Sequence, residues 1–331
     1  MRPPAAAWLK RLRPDTYLIL IIAMVVLASL WPARGQAAVD FDIATKIAIG
    51  LVFFLHGARL SREAVIGGLT HWRLHLVVLG STFALFPILT LGIAALPGWI
   101  TPKALAGGIV FLGCLPSTIQ SSIGFTVIAR GNVAAAVAAA SASNLLGVLL
   151  SPLLVGLTLH AKGAMSPHAV TAIVLQLLAP FVAGQGLRPW IGGFVAKNAA
   201  WLSKIDRGSI LLVVYTAFSG AVVGGVWDRI GALDLARLVV ICAGLLGLVL
   251  LATWSAARAL RFATPDEIAI VFCGSKKSLA SGVPMAGVLF PGAAAGVALL
   301  PLMVFHQIQL MACAVIAQSY AKRQDTEALV R

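Results

Sequence analysis

The apolar positions of the chain fall into ten runs, at approximately 16–31, 43–58, 74–96, 103–129, 133–158, 168–187, 208–226, 237–257, 266–290 and 296–320. Most are near 20 residues long, the length an α-helix needs to cross the hydrocarbon core of a bilayer. The gaps between them are short, and no linker, low-complexity tract or soluble domain interrupts the series. The pattern predicts one all-α polytopic membrane domain over residues 1–331, with ten transmembrane helices. The first run follows Lys10, Arg11 and Arg13 and precedes ARGQAA, which is also the shape of a secretory signal. It is read as a span because the two halves of the chain then match.

That match rests on runs 4 and 9, which are too long and too polar at their centres for plain helices. Run 4 reads AGGIVFLGCLPSTIQSSIGFTVIARG over 106–131, and run 9 reads EIAIVFCGSKKSLASGVPMAGVLF over 267–290. Proline removes a backbone donor and glycine weakens a helix. In lipid, the freed backbone groups are tolerated only where protein or a water-filled cavity receives them. Each broken run is the fourth of five, with repeat one at about 16–158 and repeat two at about 168–320. The offset between PSTIQSS and CGSKKSL is 157 residues, close to the 163 between the starts of runs 5 and 10. Five spans per repeat is an odd number, so the second repeat enters from the opposite side. The expectation is two inverted five-helix repeats with broken helices 4 and 9 crossing, the arrangement that marks a transporter site. The plainer alternative is a pair of ordinary kinked helices.

Composition agrees with a membrane setting: 60% of residues are hydrophobic, 11% are charged and the mean hydropathy is +0.97. The net charge of +14 does not indicate nucleic acid, because the basic residues are scattered through the gaps between runs rather than blocked together with exposed aromatics. With the N-terminus in the cytoplasm, seventeen Lys and Arg lie on the inner side and six on the outer. That bias places both termini in the cytoplasm of a multi-pass protein of the cell (inner) membrane. The four cysteines, Cys114, Cys242, Cys273 and Cys313, lie inside apolar runs without metal-ligand spacing and read as packing residues. No cofactor is expected.

Lys276 and Lys277 change the picture most. A charge at mid-membrane costs roughly 2.5–3.5 kcal/mol on insertion scales. The usual relief is a carboxylate, yet all eleven acids fall in gaps or at run ends. A centre with positive and no negative charge repels mobile cations. The lysines can instead stand in for them: an ammonium just past the end of a half-helix near Gly274 would satisfy its last carbonyls. The half-helices starting near Ser117 and Ser278 point positive ends at the crossing, which suits a carboxylate or sulfonate on an apolar molecule. The alternative for each lysine is snorkelling or a local hydrogen bond with no ligand contact.

PSTIQSS in run 4, RGN at 130–132, SASNLLGVLLSPLL in run 5 and CGSKKSLASGVPMA in run 9 resemble the bile acid:sodium symporter superfamily, in its SBF-like branch, over nearly the whole chain. The resemblance implies a panel domain and a core domain, with helices 4 and 9 unwound where they cross in the core. It also implies transport of organic anions with sodium by alternating access. Carried onto this chain, Pro116, Ser117, Thr118, Gln120 and Ser121 would face the crossing, and Ser141, Ser143 and Asn144 match polar positions that help hold a first sodium. In run 9 the sodium-coupled pattern Glu-x-Gly-x-Gln-Asn is absent. Anchored on Gly274, its glutamate position holds Phe272, and its glutamine and asparagine positions hold Lys276 and Lys277, with Ser275 and Ser278 beside them in the candidate crossing. Sodium belongs to the family pattern; the residues point to a sodium-independent relative.

Among smaller candidates, His306, Gln307 and Gln309 in run 10 and Gln176 in run 6 read mainly as glue between helices, with His306 also a candidate ligand or proton carrier. His56, GLRPW at 186–190 and Trp201 read as interface residues. The expected function is secondary transport of a small amphipathic organic anion across the lipid bilayer. The alternatives are a sodium-coupled symporter of such anions and a non-transporting membrane regulator on the same fold. No HExxH, nucleophile elbow or paired carboxylates suggest an enzyme.

Overall fold

The computed structural model describes residues 16–59, 71–159, 174–290 and 292–330, and among them the regular structure is entirely helical. In chain order the helices are α1 (Thr16–Leu30), α2 (Gln36–Arg59), α3 (Trp72–Ala94), α4 (Lys103–Cys114), α5 (Gln120–Ile128) and α6 (Val133–Leu159). They continue as α7 (Ala179–Lys197), α8 (Ala199–Val223), α9 (Ala232–Ala259), α10 (Thr264–Gly274), α11 (Leu279–Leu289) and α12 (Ala293–Val330). A five-residue π turn, Val174–Leu178, leads into α7.

Among the described residues five helices are long and apolar enough to cross a membrane alone: α3, α6, α8, α9 and the Ala293–Arg323 part of α12. The Ile19–Leu30 part of α1, and α4, are apolar but shorter. Runs 4 and 9 are each broken in two, giving halves of 12 and 9 residues and of 11 and 11 residues, none long enough to span alone. The first break is local chemistry. Leu115, forced away from the helical region by the following Pro116, takes ψ 155° and ends α4. The second ends in Ser278, extended at ψ 112°, whose hydroxyl accepts from the Ser281 N–H at 3.1 Å and starts α11.

Two expectations are corrected. Run 6 does not end near residue 187. Helix continues through Pro189 to Lys197, and α8 begins at Ala199, so Arg188, Lys197, Lys204 and Arg207 lie on helices rather than in a loop between runs 6 and 7. Hydropathy marks the lipid-facing part of a helix and misses its polar extension, where a cation such as Lys197 favours the negative C-terminal end. Run 3 is not a plain helix either: Ser81–Leu85 form a π turn inside α3. The basic residues Arg2, Lys10, Arg11, Arg13, Arg62, Lys162 and Arg331 lie outside the described residues, as does the N-terminal flank of the first run.

Helices α1, α2, α7 and α8 pack together, with α8 also lying against α12. The α2–α7 contact depends on Gly57 and Gly184. A Cβ at Gly57 would run into the Phe181 carbonyl, and one at Gly184 into the Phe54 carbonyl, so only glycine allows the backbones to meet. Arg59 of α2 pairs with Asp206 of α8 at one end of this group. The remaining helices enclose the two breaks. Leu149, Leu153, Leu157 and Val240 stay exposed, as expected of a surface that faces lipid.

Candidate functional site

The two breaks meet. The Ser278 N–H donates to the Pro116 carbonyl at 2.9 Å, joining the connection between α4 and α5 to that between α10 and α11. Helix α6 holds the junction from the side. Ser143 Oγ accepts from the Ser117 N–H at 3.0 Å, Asn144 Nδ2 donates to the Ser117 carbonyl at 2.6 Å, and Asn144 Oδ1 accepts from Ser281 Oγ at 2.9 Å. Gly147 makes room: a Cβ there would lie 2.6 Å from the Pro116 side chain.

A helix leaves its last four carbonyls without intrahelical partners. At the end of α10 all four accept from serine hydroxyls. Ser275 Oγ reaches Val271 O at 2.6 Å, Ser122 Oγ reaches Phe272 O at 3.0 Å, Ser117 Oγ reaches Cys273 O at 2.6 Å and Ser81 Oγ reaches Gly274 O at 2.8 Å. The expectation that a lysine would satisfy the α10 carbonyls near Gly274 is therefore corrected. Serines from α3, from the α4–α5 connection, from α5 and from residue 275 itself already occupy them.

Lys277 caps the other broken helix instead. Its Nζ donates to Gly113 O and Leu115 O, both at 2.7 Å, where α4 ends, and to Thr82 O of α3 at 2.8 Å. The Thr82 carbonyl is free for a reason legible in covalent structure. In the π turn the Phe86 N–H goes to Ser81 O, five residues back, rather than to Thr82 O. The next residue, Pro87, has no N–H to give. Three stranded carbonyls thus converge on an ammonium with three hydrogens, and the Phe86 ring lies 4.1 Å away. The Lys277 backbone is fixed as well: Gln309 Oε1 accepts from its N–H at 2.9 Å and Gln309 Nε2 donates to its carbonyl at 3.0 Å.

Lys276 is equally buried and held more loosely. Its Nζ donates to Ser121 O at 3.3 Å and sits 3.8 Å from the Phe125 ring centroid, with Phe272 at 5.5 Å. No carboxylate contacts either ammonium among the described residues. Nor does any group of three His, Cys, Asp or Glu there have the geometry to hold a metal ion.

Of the candidates from the sequence, Pro116, Ser117, Thr118, Ser143, Asn144, Gly274, Ser275, Lys276, Lys277 and Ser278 lie at the junction, with Ser121 at its edge, bonded to Thr118 through the hydroxyls at 2.5 Å. Gln120 is exposed and Ser141 half-buried, and no side-chain bond ties either to the junction among the described residues. His306 supports Gln309, whose amide donates to His306 Nδ1 at 2.9 Å. Sequence reasoning missed Ser81, Thr82, Phe86 and Phe125, and ranked Gln309 only as glue. The available signal was Pro87, five residues after Thr82. A second feature is a cleft of about 640 Å³ between α2, α8, α11 and the start of α12. Its walls are mostly apolar, with the Thr45–Thr216 hydroxyl pair at 2.9 Å inside and Arg34 and Asp42 among its lining.

The model of the SBF-like CPA transporter family matches residues 15–322. The chain is 56% identical to the uncharacterized protein PA2026 of Pseudomonas aeruginosa, over 96% of each chain. It is 54% identical to the protein named "Putative symporter YfeH" of Escherichia coli, over 94% of each. It is 29% identical to sodium/bile acid cotransporter 7-B of Xenopus laevis, over 92% of this chain and 90% of that one. An all-helical chain with membrane-length spans, broken at two meeting points and matched end to end by these relatives, belongs to the SBF-like CPA transporter family, within the bile acid:sodium symporter superfamily.

Proposed function

We propose that the chain moves an amphipathic organic anion by alternating access, with the two lysines in place of sodium. In this reading ten spans form two inverted five-helix repeats in the inner membrane, both termini are cytoplasmic, and the α4–α5 and α10–α11 breaks cross in a core domain. The observation that carries the proposal is Lys277 Nζ on three carbonyls, Thr82, Gly113 and Leu115, at 2.7–2.8 Å. Three converging carbonyl oxygens are the kind of ligand set a hard cation takes. Here a tethered ammonium fills it, so no mobile ion is required to meet these carbonyls. The centre remains cationic without a carboxylate, which favours an anion. The cleft beside α11 offers apolar walls and hydroxyls to the body of such a molecule.

The test is uptake of radiolabelled taurocholate into proteoliposomes holding the purified chain, with sodium or with N-methylglucamine as the bulk cation. Saturable uptake that is the same in both is the expected result. Uptake that needs sodium would return the chain to the sodium-coupled symporters. Absence of both uptake and binding would favour a non-transporting regulator.

A further inference from the structure

Lys276 and Lys277 are adjacent and both fully buried, yet their charges are compensated unequally. Lys277 Nζ has an acceptor for each hydrogen, all within 2.8 Å. Lys276 Nζ has one carbonyl at 3.3 Å and the face of Phe125. A ring face and one long hydrogen bond replace only part of the lost hydration of an ammonium. The groups facing it bring no negative charge. Helix α5 presents Ser121 and Phe125. The preceding helix, α10, presents the Cys273 thiol and the Phe272 ring, and α12 presents the Cys313 thiol. The neighbouring charge, Lys277, is of like sign. The carboxylate of Glu267, nine residues earlier on α10, is engaged by Arg258 Nε at 2.6 Å and by Tyr320 OH at 2.8 Å. His306 on α12 accepts from the Gln309 amide at 2.9 Å. If one proton leaves the junction, the Lys276 proton leaves at the smaller cost.

Taking the transport reading above as its basis, we infer that Lys276 is the coupling site, binding and releasing one proton for each monoanion moved. With the ammonium present, the junction accepts the anion and the loaded protein reorients with that pair of charges balanced. On the far side the anion departs and an N–H bond of Lys276 breaks. The electron pair stays on nitrogen and the proton passes to water. The uncharged amine returns and takes a proton from water on the starting side. Each cycle carries one anion and one proton in the same direction, and no other bond changes. Lys277 keeps its proton throughout, because the neutral amine would have two N–H bonds for three carbonyls and would turn its lone pair toward the third.

The experiment uses the full chain in sodium-free proteoliposomes with pyranine inside and taurocholate as probe, since its sulfonate stays ionised and does not leak across lipid as a neutral acid. Adding taurocholate outside should acidify the lumen in proportion to uptake, and an imposed inward proton gradient should speed accumulation. Lys276→Arg fixes the positive charge, because guanidinium does not give up its proton in proteins. It should keep exchange of labelled for unlabelled taurocholate and lose proton-driven net uptake. Lys276→Gln, permanently neutral, should lose the lumenal acidification. Taurocholate accumulation by the wild type without proton movement would overturn the inference and leave the transport reading standing. So would full proton-driven uptake by Lys276→Arg. Absence of both uptake and exchange in the wild type would remove the transport reading, and this inference with it.

Discussion

At the end of α10 four carbonyls accept from four separate serine hydroxyls, whereas at the end of α4 two carbonyls converge with a third from α3 on one ammonium. Both arrangements answer the same requirement, that backbone freed inside a membrane protein finds a donor. They differ in how the donors are distributed. The serines come from several elements and each meets one carbonyl, so their loss should be graded. Lys277 joins three carbonyls from two elements through a single atom, so its loss should be felt at all of them together. The charged arrangement also excludes a second cation from the same place, which a ring of hydroxyls does not.

The largest expected effect comes from breaking the charged end. Lys277→Met keeps the apolar stem and removes all three donors, leaving Thr82, Gly113 and Leu115 carbonyls buried and unmet. At ~1–3 kcal/mol for each unsatisfied buried acceptor, the loss is comparable to the whole stability of many domains. Scanning fluorimetry in detergent should show a much lower midpoint, or no cooperative transition. A midpoint equal to that of the wild type would end the claim that the ammonium is the cap of α4.

Ser117→Ala tests the neutral end and should do less. It removes the donor to Cys273 O while the other three α10 carbonyls keep theirs. The expected cost is about 1–2 kcal/mol, the price of one buried hydrogen bond with its acceptor left unmet. The Ser117 backbone bonds to Ser143 and Asn144 do not involve the hydroxyl and should persist. A loss as large as that of Lys277→Met would mean that the α10 end is no more distributed than the α4 end.

The sequence showed part of this difference. Pro116, the glycine and serine content of runs 4 and 9, and two lysines without an internal acid were enough to mark two broken helices and a cationic junction between them. Which helix the lysine caps was not legible. A lysine side chain reaches several ångströms from its backbone, and the spacing along run 9 says nothing of which neighbour lies there. The part played by α3 was hidden for a different reason. Its run is apolar and continuous, and its one cue, Pro87, does not by itself say that Ser81–Leu85 form a π turn and leave the Thr82 carbonyl free. The join between α7 and α8 was missed because hydropathy falls where a helix leaves the lipid, whether or not the helix ends there.

The smallest of these effects tests α3 itself. Pro87→Ala supplies an N–H five residues after Thr82, where the π turn leaves none. The new donor can take the Thr82 carbonyl in a π-type bond, or the segment can revert to α geometry and return that carbonyl to Phe86. Either way Lys277 loses exclusive use of one of its three acceptors. A hydrogen bond to a charged group contributes about 1.5–3 kcal/mol and a new backbone bond returns about 0.5–1.5, so the net loss should be near 1 kcal/mol. A difference of this size is best read through a double-mutant cycle. If the proline acts by reserving the Thr82 carbonyl for the ammonium, Pro87→Ala should destabilise the wild type and have little effect, or even a favourable one, in the Lys277→Met background, where the same carbonyl otherwise has no donor. Equal effects in both backgrounds would show that Pro87 shapes α3 without serving the lysine, and the α4 end would then rest on Gly113 and Leu115 alone.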